Sequence, residues 1–133
     1  MAGTLVANTI NTDTGLFSTN NAYLGIAKAW VNFTGTGGTV TINNSFNCSS
    51  ITRQAAGTFT FNFTTAMATA YYAQSGGASG SASTFNAGAV QFNQTPSTGV
   101  LTNPTTTSFI FASLNSGGSN FDPSYCSVVV FSS

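Results

Sequence analysis

The chain has almost no charge. Of its 133 residues, two are Lys or Arg and two are Asp or Glu, namely Asp13, Lys28, Arg53 and Asp122. That is 3% of the chain, against about 25% in an ordinary soluble domain. There is no His, and both acidic residues are Asp. Each shortage excludes a class of function. One Lys and one Arg cannot neutralise a run of phosphates, so nucleic acid is not expected as a partner. They cannot form a polybasic membrane anchor either, and no apolar run approaches the roughly 18 residues of a membrane span. Met1–Ile10 lacks a basic segment followed by a long apolar stretch, so no secretory signal is read there and folding in the cytoplasm is expected.

Catalysis is starved of groups. Acid–base work needs titratable side chains near one another, and only Asp13 and Asp122 could form a carboxylate pair. Both sit in turn sequences, Asn11-Thr12-Asp13-Thr14-Gly15 and Asp122-Pro123. A Ser or Cys nucleophile has no His to activate it, a zinc site lacks ligands, and calcium would have to rely on carbonyls and a single Asp. Gly35-Thr36-Gly37-Gly38 precedes neither Lys-Ser/Thr nor a helix, so it predicts a hairpin turn and not a phosphate cradle. No catalytic, cofactor-binding or metal-ligating residue is expected. The two cysteines, Cys48 and Cys126, either close a long loop or remain free as small core residues; cytoplasmic folding favours free thiols.

What the chain does have is bulk and period two. Twelve Phe, four Tyr and one Trp suffice for a packed core in a single domain of this length. In Thr58-Phe59-Thr60-Phe61-Asn62-Phe63-Thr64 the Phe residues fall on one face and Thr/Asn on the other, the mark of a half-buried strand. Thr39–Ile42 and Ala89–Asn93 repeat the alternation. Ala27–Thr34 reads as a strand buried on both sides around Trp30. Ser108–Ala112 and Cys126–Phe131 are continuous apolar runs suited to central strands, with Thr4–Ile10 and Ser49–Arg53 as shorter candidates. Turn formers recur every 8 to 12 residues or so, the rhythm of a sandwich or barrel. The expected fold is an all-β antiparallel sandwich, jelly-roll-like, over 27–133.

Three segments stand apart. Ala66–Ala73 reads as a short helix or as a crossover into a strand at Tyr71 and Tyr72. Residues 75–88 are low in complexity and predict an exposed, mobile loop. Residues 1–26 are thin in aromatics and show no clear hairpin, so they are read as an extended N-terminal arm, or else as an edge strand with a loop. Leu5, Val6 and Ile10 in that arm, with Lys28 and Arg53, are the candidate assembly contacts; the two cations also suit edge strands, where charge discourages stray pairing. Tyr71, Tyr72 and Tyr125 lie in Tyr-, Ser-, Gly- and Asn-rich stretches of the kind that form recognition loops.

Ala27-Lys28-Ala29-Trp30-Val31-Asn32-Phe33, then Gly35-Thr36-Gly37, Ser45-Phe46-Asn47 with Ser49-Ser50-Ile51-Thr52, and Gly57 through Met67 resemble a module of tailed-phage virion surface proteins. Gly3–Ile10 resembles the start of small fibre or head-surface proteins of this kind, and Tyr125–Phe131 resembles the module's last strand. Ala68 stands where the family pattern commonly has Pro. The resemblance covers about half the chain and brings no catalytic residue. It implies a virion component, usually a homotrimer, assembled in the host cytoplasm. The leading expectation is a capsid decoration (cement) protein bound to the major capsid protein or other virion proteins. The alternative is the receptor-binding knob of a tail or head fibre, mediating host attachment by stacking tyrosines on a host-surface glycan. A lectin-like adhesive module of a cell is a third.

Overall fold

The computed structural model describes residues 9–12, 15–18, 25–80, 87–95 and 100–132. Its described elements are twelve strands and one 3-10 turn (Thr36–Gly38): β1 (Thr9–Thr12), β2 (Gly15–Ser18), β3 (Ala29–Thr34), β4 (Thr41–Phe46), β5 (Cys48–Ala55), β6 (Thr58–Phe63), β7 (Ala73–Ser79), β8 (Ala87–Phe92), β9 (Gln94–Thr95), β10 (Val100–Leu101), β11 (Ser108–Leu114) and β12 (Tyr125–Phe131). The expected all-β antiparallel fold is present. Eight strands form one antiparallel sheet in the order β4-β3-β12-β7-β8-β11-β6-β5. The sheet folds into two layers, β4-β3-β12-β7 and β8-β11-β6-β5, joined where Ala78 and Ser79 pair with Gly88 and Ala87. β4 and β5 are separated in sequence by Asn47 alone, so the sandwich is nearly a closed barrel.

Alternation places the core. On β6, Phe59, Phe61 and Phe63 point inward; on β3, Ala29, Val31 and Phe33; on β12, Cys126, Val128 and Val130, all of them buried. Phe33 meets Phe59 edge-on at 5.2 Å between ring centres, and Phe61 stacks on Phe109 at 5.0 Å. Each fully buried side chain of this size contributes about 1.5–3 kcal/mol of transfer free energy. Favourable ring geometry adds roughly 0.5–1.5 kcal/mol per aromatic pair. This continuous Phe interior ties the two layers into one unit.

The ends of the barrel are held by polar hinges. Asn47 turns the chain from β4 to β5 in the left-handed region (φ 51), which Asn tolerates better than most residues. Its Nδ2 donates to the carbonyls of Lys28 and Thr65, and its Oδ1 accepts the Thr65 N–H at 2.7 Å. At the opposite end Gly57 has φ +67, and a Cβ there would lie 2.5 Å from the Phe121 nitrogen. Only glycine fits.

Several expectations are corrected. The low-complexity stretch is not a loop at its start: β7 pairs with β12 from Ala73↔Phe131 to Tyr125↔Ser79. Its small residues let it lie close to its neighbour, for a Cβ on Gly76 would sit 2.7 Å from the Ser127 carbonyl oxygen. Residues 81–86 of that stretch lie outside the described residues. β3 is not buried on both sides, because Trp30 is half-buried on the outer surface while Ala29 and Val31 face in. Within 1–26, β1 and β2 do form a hairpin, Thr9↔Ser18 to Thr12↔Gly15, bracketing the turn formers around Asp13. Ala66–Tyr72 is irregular, and the strand after it begins at Ala73.

Candidate functional site

The charged residues come first because there are so few. Arg53, on β5, donates from Nε to Asp122 Oδ1 at 2.9 Å and from Nη2 to Oδ2 at 2.8 Å, a bidentate pair. The same Oδ1 accepts the Gly57 N–H at 2.9 Å. The Arg53 hydrogen bond, then the Gly57 amide, hold the Asp122 carboxyl below its ordinary range despite partial burial. Nearby, Ser113 N–H donates to the Gly57 carbonyl at 2.8 Å, and the Ser113 hydroxyl donates to the Phe121 carbonyl. Gly35 N–H reaches the Pro123 carbonyl at 2.8 Å. These contacts tie the 115–124 segment to β3, β5 and β11. Arg53 is therefore paired within its own chain, and Asp122 does more than shape a turn.

Both cysteines are free. Cys126 lies level with Phe33 on β12, whereas Cys48 lies level with Phe63 on β5, so they face different ends of the Phe ladder. Burial pushes the Cys126 thiol up to about 12 and the Cys48 thiol up to about 11, which keeps both protonated and poor as nucleophiles. Among the described residues no group of three His, Cys, Asp or Glu converges on a point.

The three candidate recognition tyrosines separate. Tyr72 packs edge-on against Phe63 at 5.6 Å, and its hydroxyl donates to the Thr105 carbonyl at 2.9 Å. It belongs to the fold. Tyr71 is 94% exposed and Tyr125 52%, but they stand near opposite ends of β7, since Ala73 pairs with Phe131 and Ser79 with Tyr125. The two ends of β7 are six strand steps, about 20 Å, apart, so Tyr71 and Tyr125 do not share one platform. Of the candidate assembly residues, Leu5 and Val6 lie outside the described residues. Ile10 is on β1, paired with Phe17. Lys28 sits just before β3, where its N–H donates to the Val130 carbonyl at 2.8 Å.

The feature the sequence reading missed is the outer face of β4-β3-β12-β7. Register aligns Phe46, Trp30, Val129 and Ser75 in one row across the four strands. The next row holds Asn44, Asn32, Ser127 and Gly77. Phe46 is 55% exposed. Asn32 Nδ2 donates to the Ser127 hydroxyl at 2.8 Å, and Asn43 Nδ2 to Asn32 Oδ1 at 3.0 Å, so the amides on this face satisfy one another. A shallow groove of about 330 Å³, lined by Trp30, Asn32, Ser127, Val129, Ser75 and Gly77 among others, runs between the rows. Its lining carries no charged side chain. The signal was available: in Tyr125–Phe131 the inward set is Cys126, Val128 and Val130, which leaves Val129 and Phe131 outside.

Compared with family models, curated proteins and solved structures, the chain finds no match. The site is described by its own chemistry alone: partly aromatic, uncharged and shallow.

Proposed function

We propose that this protein is a non-enzymatic structural component of a tailed-phage virion, a small capsid decoration (cement) protein that acts as a homotrimer on the assembled head. The observation that carries this reading is the outward row Phe46–Trp30–Val129 on a surface with hardly any charge. An aromatic sheet face left to water is unfavourable for a free monomer and suited to an interface core, where aromatics are enriched and charges depleted. The residues that resemble the virion module include Trp30 and Phe46 themselves. The commitment of Arg53 and Asp122 to each other leaves little titratable chemistry for a reaction. A protein that binds the assembled shell and not its dispersed subunits adds stability to the shell alone.

The receptor-binding reading draws its support from Tyr71 and Tyr125, two exposed aromatic side chains at opposite ends of β7. One experiment separates the two. Purified protein is mixed with phage heads lacking it, and the particles are imaged by cryo-electron microscopy. Decoration predicts density repeated at every equivalent lattice position and heads that resist heat better than bare ones. No lattice binding, together with adsorption of the protein to host cells, would overturn decoration in favour of the knob.

A further inference from the structure

We infer that the groove over β7 is the socket for Tyr71 of a neighbouring copy, so that the chain assembles through a repeated knob-and-socket contact. This rests on the reading of the protein as an oligomeric assembly module and names the contact that would build the oligomer.

The socket is made by what β7 lacks. Its outward positions are Ala73, Ser75, Gly77 and Ser79, all small, beside the much larger Trp30 and Val129. A Cβ placed on Gly77 would meet nothing within 4 Å. The open space is therefore on the surface side of the strand, in the groove whose far wall, across β12, includes Trp30. Aromatic pairing with Trp30 contributes beyond the area it buries.

The occupant must be uncharged. Ordinary protein surfaces carry charge throughout, and covering them with this face would strip water from unpaired ions at considerable cost. The chain's own surface is nearly free of that cost, since it has four charged residues and two of them pair internally. Like suits like. Tyr71 is the most exposed of the large apolar side chains described, at 94%. It does not fill the groove of its own chain, since its side chain stands almost wholly in solvent. A patch on one copy meeting a different patch on the next is a heterologous contact, the type that closes rings such as trimers.

The test is sedimentation velocity of the full chain over a concentration series, for wild type, Gly77→Val, Tyr71→Ser and the double variant. Gly77→Val fills the socket in an open, β-compatible position, and Tyr71→Ser removes the knob from solvent. Wild type should form a closed oligomer, and each single variant should weaken it by about tenfold or more, as for a buried hot-spot side chain. The double variant should be no weaker than the worse single, because both delete one contact. Circular dichroism and thermal midpoint of Tyr71→Ser should match wild type; if Gly77→Val is destabilised, Gly77→Ala carries the socket arm. A monomeric wild type, an association unchanged in either arm, or effects that simply multiply would overturn the contact. So would a monomer whose groove binds a sugar. Head binding by the same variants keeps the two ideas distinct: heads decorated by wild type and Tyr71→Ser alike, with the oligomer intact, would sink the socket and leave decoration standing.

Discussion

On the outside of β5-β6-β11, Asn62 Nδ2 donates to the hydroxyls of Ser50 and Thr52 at 3.0 and 3.1 Å, and Gln54 Nε2 donates to the Thr60 hydroxyl at 3.1 Å. Ile110 sits among them, opposite Thr60. On the outside of β4-β3-β12-β7 the corresponding positions carry Phe46, Trp30 and Val129. Both faces come from the same two-residue alternation and cover the same Phe interior. One is finished with hydroxyls and amides that replace charge in keeping the sheet wet. The other sets the row Phe46, Trp30 and Val129 beside a row of amides and hydroxyls, Asn44, Asn32 and Ser127. The difference is one of residue type and not of charge: one layer turns amides and hydroxyls outward, while the other adds an aromatic row, the feature on which the proposed contact surface rests.

The comparison can be sharpened from the inside out. Phe61→Ala, in the interior both layers share, should cost about 3–5 kcal/mol in denaturant unfolding, because Phe61 is fully buried and stacked on Phe109. An effect below about 1 kcal/mol would mean that the layers do not depend on a common core. Next in size are paired changes on the two outer faces. Phe46→Thr should weaken self-association by about tenfold with under about 1 kcal/mol of change in monomer stability. Asn62→Ala should do the reverse, costing about 1 kcal/mol of stability and leaving association alone. If the two variants behave alike, the faces do not differ in role.

The smallest effect is the response to pH, in which neither outer face should take part. With no His or Glu, stability should be flat between about pH 5 and 8. The Asp122 carboxyl is lowered by Arg53, so its contribution is present above the unfolded value of about 3.9 and is lost as pH falls through the folded value. Burial raises the Cys126, Tyr72 and Cys48 groups to about 12, about 12 and about 11. Their contribution is complete below the unfolded values, about 8.5 for Cys and 10 for Tyr, and is lost as pH rises beyond them. Urea titrations across this range check both limbs. Arg53→Met should flatten the acid limb and spare the alkaline one; an unchanged acid limb would rule out the Arg53–Asp122 pair as its source.

Much of the fold was legible because period two survives in the residues themselves. Phe59, Phe61 and Phe63 announce a strand and its inner face without any partner. β7 was not legible, since Ala-Gln-Ser-Gly-Gly-Ala-Ser has no β-formers. It is a strand because β12 offers a ladder to pair with, a tertiary effect that local composition cannot report. The Arg53–Asp122 pair joins residues 69 positions apart, and nothing local marks either as the other's partner. For the candidate site, Trp30 was visible on the face opposite Ala29 and Val31, but that face was read as buried. A lone large residue between Ala29 and Val31 fits a doubly covered strand as well as an outward one, and only the buried partners on β12 decide. Tyr72 looked like a recognition residue because its composition context was loop-like, whereas its ring completes the Phe core.

Trp30 is the chain's one tryptophan, which makes the aromatic face directly observable. Acrylamide quenching of its fluorescence, measured for dilute protein and for the same protein assembled or bound to phage heads, tests whether that face is where contact is made. Strong quenching in the dilute state, with marked protection and a blue-shifted emission on assembly, is the predicted result. Equal quenching in both states would leave the aromatic face uncovered in the assembly and contradict the account.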